Sequence, residues 1–203
     1  DTAPDFTAMT TDGELSFHDW KKGSWAVFFS HPADFTPVCT TELGRTAALG
    51  SEFAKRNTKA MAISIDPVED HHAWAPDIGE VTGTALNFPI VADPDHKVAE
   101  LYDMIHPGEG DTSTVRSVFI VDPENKLRLI LTYPKSVGRN FDEIIRVIDA
   151  LQATDANPIA TPADWKPGDR VIVSPGMSTE DAKAKFENVE EFKPYLRYAD
   201  APK

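Results

Sequence analysis

The sequence predicts an α/β fold with a mixed central sheet, followed by a smaller C-terminal domain. Two observations carry this. Short apolar runs of strand length alternate with segments of helical period over the first 158 residues, and Pro and Gly then become frequent from residue 159 to the end. A third observation concerns size: 203 residues suffice for one ordinary domain and an appendage.

The elements follow in order. Trp25 to Ser30 is an apolar run rich in Val and Phe, short enough for a buried strand. After Ser30-His31-Pro32 and a polar loop, a helix is expected through about Arg56, with Leu43, Ala47, Gly50, Phe53 and Ala54 on one face. Lys59 to Ile65 reads as a strand ended by Asp66-Pro67, then a helix from Val68 to Asp77. Phe88 to Val91 is a short strand and His96 to Tyr102 a short helix. Val115 to Val121, a turn at Asp122-Pro123-Glu124-Asn125, and Leu127 to Thr132 form a hairpin signature. Asn140 with Glu143 resembles a capping box, and the helix behind it places Phe141, Ile144, Ile145, Ile148 and Leu151 on an apolar face before Asn157-Pro158. This order makes a thioredoxin-like layout the natural candidate. We expect a domain over 1–158 and a second over 159–203. In the latter, Pro162, Pro167, Gly168, Pro175 and Gly176 leave only a strand at Arg170 to Val173 and a helix at Thr179 to Phe186. So little structure is expected to pack on the first domain or on a partner subunit rather than form its own core.

Composition excludes several function classes. With 33 acidic and 20 basic residues, the formal net charge is -13. Such a surface repels phosphate backbones and anionic lipids, so neither nucleic acid nor a membrane surface is an expected partner. No apolar run reaches the roughly 18 residues of a membrane span, and no basic-then-apolar start marks a signal peptide. The single cysteine, with no Asn-x-Ser/Thr site, fits a reducing interior and hence a cytoplasmic location.

The chemistry centres on Pro32-Ala33-Asp34-Phe35-Thr36-Pro37-Val38-Cys39-Thr40-Thr41-Glu42. Capping rules put Thr36 at the N-cap and Pro37 at the first helical position. Cys39 then falls in the first turn, where free N–H groups and the helix dipole favour the negative thiolate, the reactive form of the sulfur. A lone cysteine can equally be an inert buried hydrophobe. Dithiol exchange is excluded, because Glu42 stands where a Cys-x-x-Cys motif needs its second thiol.

Pro32-x-x-x-Thr36-x-x-Cys39 resembles the signature of peroxiredoxins, and the longer string from His31 to Glu42 resembles their two-domain one-Cys subfamily. The resemblance extends through Ser64-Ile65-Asp66, Glu69-Asp70-His71, Trp74, Asn87-Phe88-Pro89, Arg116, Tyr133-Pro134 and Gly138 to Glu143, and into the Pro/Gly-rich tail. It implies that Cys39 attacks a peroxide oxygen and becomes a sulfenic acid. With no second cysteine, an external thiol must reduce that acid. It also implies that Arg116 stabilises the thiolate and the developing oxyanion, that Thr36 bridges sulfur and peroxide, and that Pro32 shields the sulfur. Glu42 would orient Arg116, His31 would lie near the sulfur without acting as base, and Arg139 would belong to the outer charge shell. A homodimer, with the C-terminal segment reaching over its partner, is the assembly the resemblance implies.

Other readings are weaker. A non-catalytic thioredoxin-fold chaperone or redox sensor using Cys39 as a switch is the alternative from another class. A cysteine hydrolase with His31 as base lacks an evident oxyanion hole or base-orienting acid. His71-His72, His96 and His106 lack zinc-site spacing, and His71-His72 is read as solvent-facing and packing residues, so no metal is expected. Some relatives carry a lipase-like Gly-x-Ser-x-Gly motif; here Lys22 and Ala26 replace both flanking glycines around Ser24, which argues against that activity. No phosphate-cradling loop or dinucleotide fingerprint is present, and no cofactor is expected.

Overall fold

The computed structural model of the chain describes residues 1–202. It divides into two compact units, Asp1–Phe141 and Asp142–Lys203.

The first unit opens with a hairpin that short polar strands hide from sequence pattern, β1 (Thr7–Thr10) and β2 (Gly13–Ser16), and a short helix α1 (Phe17–Lys21). Then come β3 (Trp25–Ser30), α2 (Pro37–Ala48), α3 (Gly50–Lys55), β4 (Thr58–Ser64), α4 (Val68–Thr82), β5 (Ile90–Ala92), α5 (Lys97–Leu101), β6 (Arg116–Val121) and β7 (Leu127–Tyr133). They build a seven-stranded sheet in the order β2-β1-β5-β4-β3-β6-β7. The β3–β4 and β4–β5 pairs are parallel and the others antiparallel, so the sheet is mixed. Strand β3 lies inside the sheet between β4 and β6 and all six of its residues are buried, which is why it reads as a continuous apolar run rather than an alternating one. Phe28 packs with Phe17, Met61, Tyr102 and Phe119 in one core cluster; each fully buried Phe contributes about 1.5–3 kcal/mol.

Two helices depart from expectation. The single helix expected through Arg56 is two, α2 and α3, separated at Leu49. Asn87 explains the break: its Nδ2 donates to the Ala47 carbonyl at 2.9 Å, and a Cβ at Gly50 would lie 2.7 Å from the same nitrogen. A side chain inserted into the helical hydrogen-bond ladder ends it. Helix α4 runs past Asp77 and through Pro76 to Gly83, whose positive φ of 76° closes it with a bond to the Gly79 carbonyl. Its last turn touches α2, since a Cβ on Gly44 would meet the Thr82 side chain at 2.3 Å.

The second unit shows strands the sequence pattern does not reveal, and its core is completed by α6, which the sequence assigns to the first domain. Helix α6 (Phe141–Ala156) lies in it but for its first residue. Beyond come β8 (Ile159–Ala160), β9 (Val171–Val173), α7 (Thr179–Lys185), β10 (Glu190–Lys193) and β11 (Leu196–Ala199). The four strands pair antiparallel in the order β10-β11-β9-β8. Trp165, Val171, Val173, Phe186 and Ala199 form a buried cluster against which Ala150 and Ala153 of α6 pack. Sequence pattern misses β8, β10 and β11 because they are short, and β10 is exposed along its whole length. Among the described residues, no helix is long and apolar enough to cross a membrane.

Candidate active site

Strand β3 ends at Ser30, and residues 31–36 carry the chain to α2. Thr36 is the N-cap, with extended backbone, and Pro37 occupies the first helical position as the capping pattern predicts. The Thr36 side chain does not cap the helix, however. Its hydroxyl donates to the Ala33 carbonyl at 2.8 Å, which leaves its oxygen as an acceptor. Pro32 and Thr36 are both half-buried, and Phe35 between them is exposed and has a φ of 54°. A bulky residue in the left-handed region stores strain that its surroundings must hold. Cys39, in the first turn of α2, has no exposed surface.

The antiparallel register that sets Phe29 opposite Val118 brings the start of β6 beside the end of β3. There Arg116 Nη1 donates to Cys39 Sγ at 3.3 Å and to Glu42 Oε2 at 2.8 Å, while its Nε donates to the Lys135 carbonyl at 2.8 Å. Glu42 lies one helical turn after Cys39 and receives a second guanidinium. Arg139 donates to it from its backbone N–H at 2.8 Å, from Nε at 2.9 Å and from Nη2 at 2.6 Å. Arg139 Nη1 also donates to the Ser117 carbonyl at 3.0 Å, and its guanidinium lies over the Phe29 and Phe141 rings. Both arginines and Glu42 are nearly or fully buried. Burial pushes the Glu42 carboxyl up. The Arg139 hydrogen bonds and the charges of Arg139 and Arg116 outweigh it and hold the group below the ordinary glutamate range. Arg139 thus reaches the sulfur only through Glu42 and Arg116. Two guanidiniums against one carboxylate leave one positive charge over, and the Cys39 sulfur lies 3.3 Å from Arg116 Nη1.

His31 is fully buried; its Nε2 contacts Asp34 Oδ1 at 2.7 Å, and among the described residues its Nδ1 has no hydrogen-bond partner. The other Asp34 oxygen contacts His71 Nδ1 at 2.6 Å. Sequence reading missed both Asp34, the acid that orients His31, and the burial of His71. Its neighbour His72 is exposed, as adjacent positions on a helix require. The spacing His31-x-x-Asp34 at a strand end was the available signal. His31, Asp34 and Asp66 bring ligand-type atoms within 4.8 Å of one another, but these groups already bind their neighbours: Asp66 Oδ2 accepts from the Asp34 N–H and the Ser64 hydroxyl. Ser24, at the centre of the lipase-like string, donates its hydroxyl to Asn57 Oδ1 at 3.2 Å.

Residues 1–130 match the AhpC/TSA family, and residues 150–188 match the C-terminal domain of 1-Cys peroxiredoxin. The chain belongs to the AhpC/TSA family. It is similar to Peroxiredoxin-6 of Rattus norvegicus, 51% identical over all of this chain and 96% of that one. A crystal structure of a mutant Peroxiredoxin 6 of Arenicola marina superposes with a TM-score of 0.95 at 47% identity, covering 100% of this chain and 97% of that one. A yeast mitochondrial 1-Cys peroxiredoxin, whose structure concerns thiol resolution via glutathione/thioredoxin systems, gives 0.93 at 49% identity over 98% and 97%. Within the family, then, the chain is a 1-Cys peroxiredoxin, a thiol peroxidase with the thioredoxin-like fold.

Proposed function

We propose that Cys39 is the nucleophile of this peroxidase. The observation that carries the reading is the uncompensated guanidinium charge of Arg116 at 3.3 Å from Sγ, because a positive charge there favours the thiolate over the thiol. The thiolate sulfur attacks the terminal oxygen of a hydroperoxide. An S–O bond forms as the O–O bond breaks, sulfur is oxidised to sulfenic acid, and the departing oxyanion leaves as water or alcohol after taking a proton. Arg116 is placed to hold the sulfur and to meet charge developing on the attacked oxygen. Thr36, with its hydroxyl hydrogen engaged by Ala33, offers an acceptor to the O–H of hydrogen peroxide or of a protonated hydroperoxide. Pro32 presents no N–H to the sulfur's surroundings. Glu42 and Arg139 hold Arg116 in place.

Recycling needs two external thiols. The first condenses with the sulfenic acid, forming a mixed disulfide and water; the second releases the Cys39 thiol and leaves with the first as a disulfide. Glutathione and thioredoxin systems, which the yeast relative's structure names, are the reductant class we assign. Sole use of one cysteine supports a reducing, cytoplasmic setting. We assign a homodimer, supported by the match to the C-terminal domain of 1-Cys peroxiredoxin and by exposed Phe192 and Tyr195 on the β10–β11 hairpin. Sedimentation at micromolar concentration should show a dimer; a monomer there would refute the assignment. We propose domain limits near 1–158 and 159–203.

One equivalent of hydrogen peroxide added to the reduced protein should add one oxygen to its mass, and Cys39→Ser should abolish that addition. Oxidation of wild-type Cys39 no faster than a free thiol would sink the reading and favour the chaperone or sensor alternative.

A further inference from the structure

Outside the charge cluster, one chain of buried polar groups runs from α4 to the loop that leads to Cys39. Its order is Val91 carbonyl, His71, Asp34, His31. The Val91 carbonyl can only accept, so His71 Nε2, 3.1 Å away, carries a hydrogen. The 2.6 Å contact between His71 Nδ1 and Asp34 Oδ2 also needs one proton, since two lone pairs cannot face each other at that distance. Burial pushes the Asp34 carboxyl up, but hydrogen bonds from His31 and His71 outweigh it and hold the group below the ordinary aspartate range. Asp34 is therefore held as the carboxylate, the acceptor between the two histidines. An anion at Asp34 in turn takes its second bond from His31 Nε2–H at 2.7 Å, which leaves His31 Nδ1 with the lone pair. That nitrogen is buried and without a partner. The Asp34 backbone N–H is tied to Asp66, so the segment holding strained Phe35 is fastened at several points.

We propose that His71 is a positioning residue for this site: through its bond to Asp34 it holds the proton of His31 on Nε2 and leaves Nδ1 as a buried acceptor in the segment leading to Cys39. The proposal rests on the reading of Cys39 as nucleophile. Titratable groups facing His71 are Asp34 and, ring to ring at 6.3 Å, His31; Asp66 acts through Asp34. Without a donor from His71, a buried aspartate with one partner takes up a proton. Its O–H can then donate to His31 Nε2, which moves the imidazole proton to Nδ1.

The test uses the full chain, reduced, with 15N-labelled histidine. The wild-type spectrum should show His31 and His71 each with a proton on Nε2. His71→Phe should shift His31 toward the Nδ1–H form and slow Cys39 oxidation by hydrogen peroxide at least tenfold. His71→Asn, which keeps a donor toward Asp34, should retain the wild-type His31 form and a rate within about threefold. An unchanged His31 signal in His71→Phe, or equal slowing by both variants, overturns the proposal. So does a wild-type spectrum with the His31 proton on Nδ1 or with His71 Nε2 bare, and that result stands even if His71→Phe does not fold. A wild-type thiol no faster than a free one would instead strike the Cys39 reading and leave the tautomer result intact.

Discussion

Arg116→Ala should slow oxidation of Cys39 by hydrogen peroxide by about 100- to 1000-fold, the usual loss when one preorganised donor to a developing anion is removed. One nitrogen of Arg116 binds both Sγ and Glu42 Oε2, and Nε fixes the side chain on the Lys135 carbonyl. Alanine removes the donor to sulfur and the charge that favours the thiolate together. The fold should survive, because Glu42 keeps its three bonds from Arg139. Arg116→Lys should recover only part of the rate, since a single ammonium cannot reproduce a planar fork anchored at a third point. Stopped-flow tryptophan fluorescence at several peroxide concentrations gives the second-order rate constants. A loss of less than about fivefold in Arg116→Ala would remove Arg116 from the chemistry, well short of the single-donor effect.

Glu42→Ala should cost about 3–5 kcal/mol of stability, as does breaking a buried ion pair from one side. Two guanidiniums would remain in the interior, and the Arg139 side chain has 0% exposure with which to escape. Glu42→Gln keeps the volume but removes the charge and should lie between wild type and Glu42→Ala in urea denaturation. The same group predicts a pH dependence. Its folded-state carboxyl lies below the ordinary value, so the unfolded chain binds more protons in the window between them, and stability rises with pH there. The contribution is complete above the unfolded glutamate value of about 4.3 and is lost as pH falls through the depressed folded value. Glu42→Gln should lack that component. A Gln variant as stable as wild type, within about 0.5 kcal/mol, would show that the carboxylate is not what holds the two arginines.

Legibility in the sequence followed the range of the interactions. Strand β3 matched its apolar run because a strand buried on both faces needs no partner information to be recognised. The start of α2 was readable because Thr36 and Pro37 act on the residues beside them. The break at Leu49 was not, since Asn87, which causes it, lies 40 positions along the chain from the Ala47 carbonyl it binds. The second unit was underestimated because a four-stranded sheet of two- to four-residue strands has too short a period to detect, although together they cover a core around Trp165.

By itself, the sequence determined that the one cysteine sits in the first turn of a helix behind a buried strand, with no second cysteine among its 203 residues. Only the tertiary structure decided what surrounds the sulfur. Arg116 and Arg139 reach Glu42 across 74 and 97 residues, and His71 reaches Asp34 across 37. Helical period and capping act over a few residues. Those pairings depend instead on strand register and on the cost of leaving a buried charge alone, which is met when the whole sheet has formed.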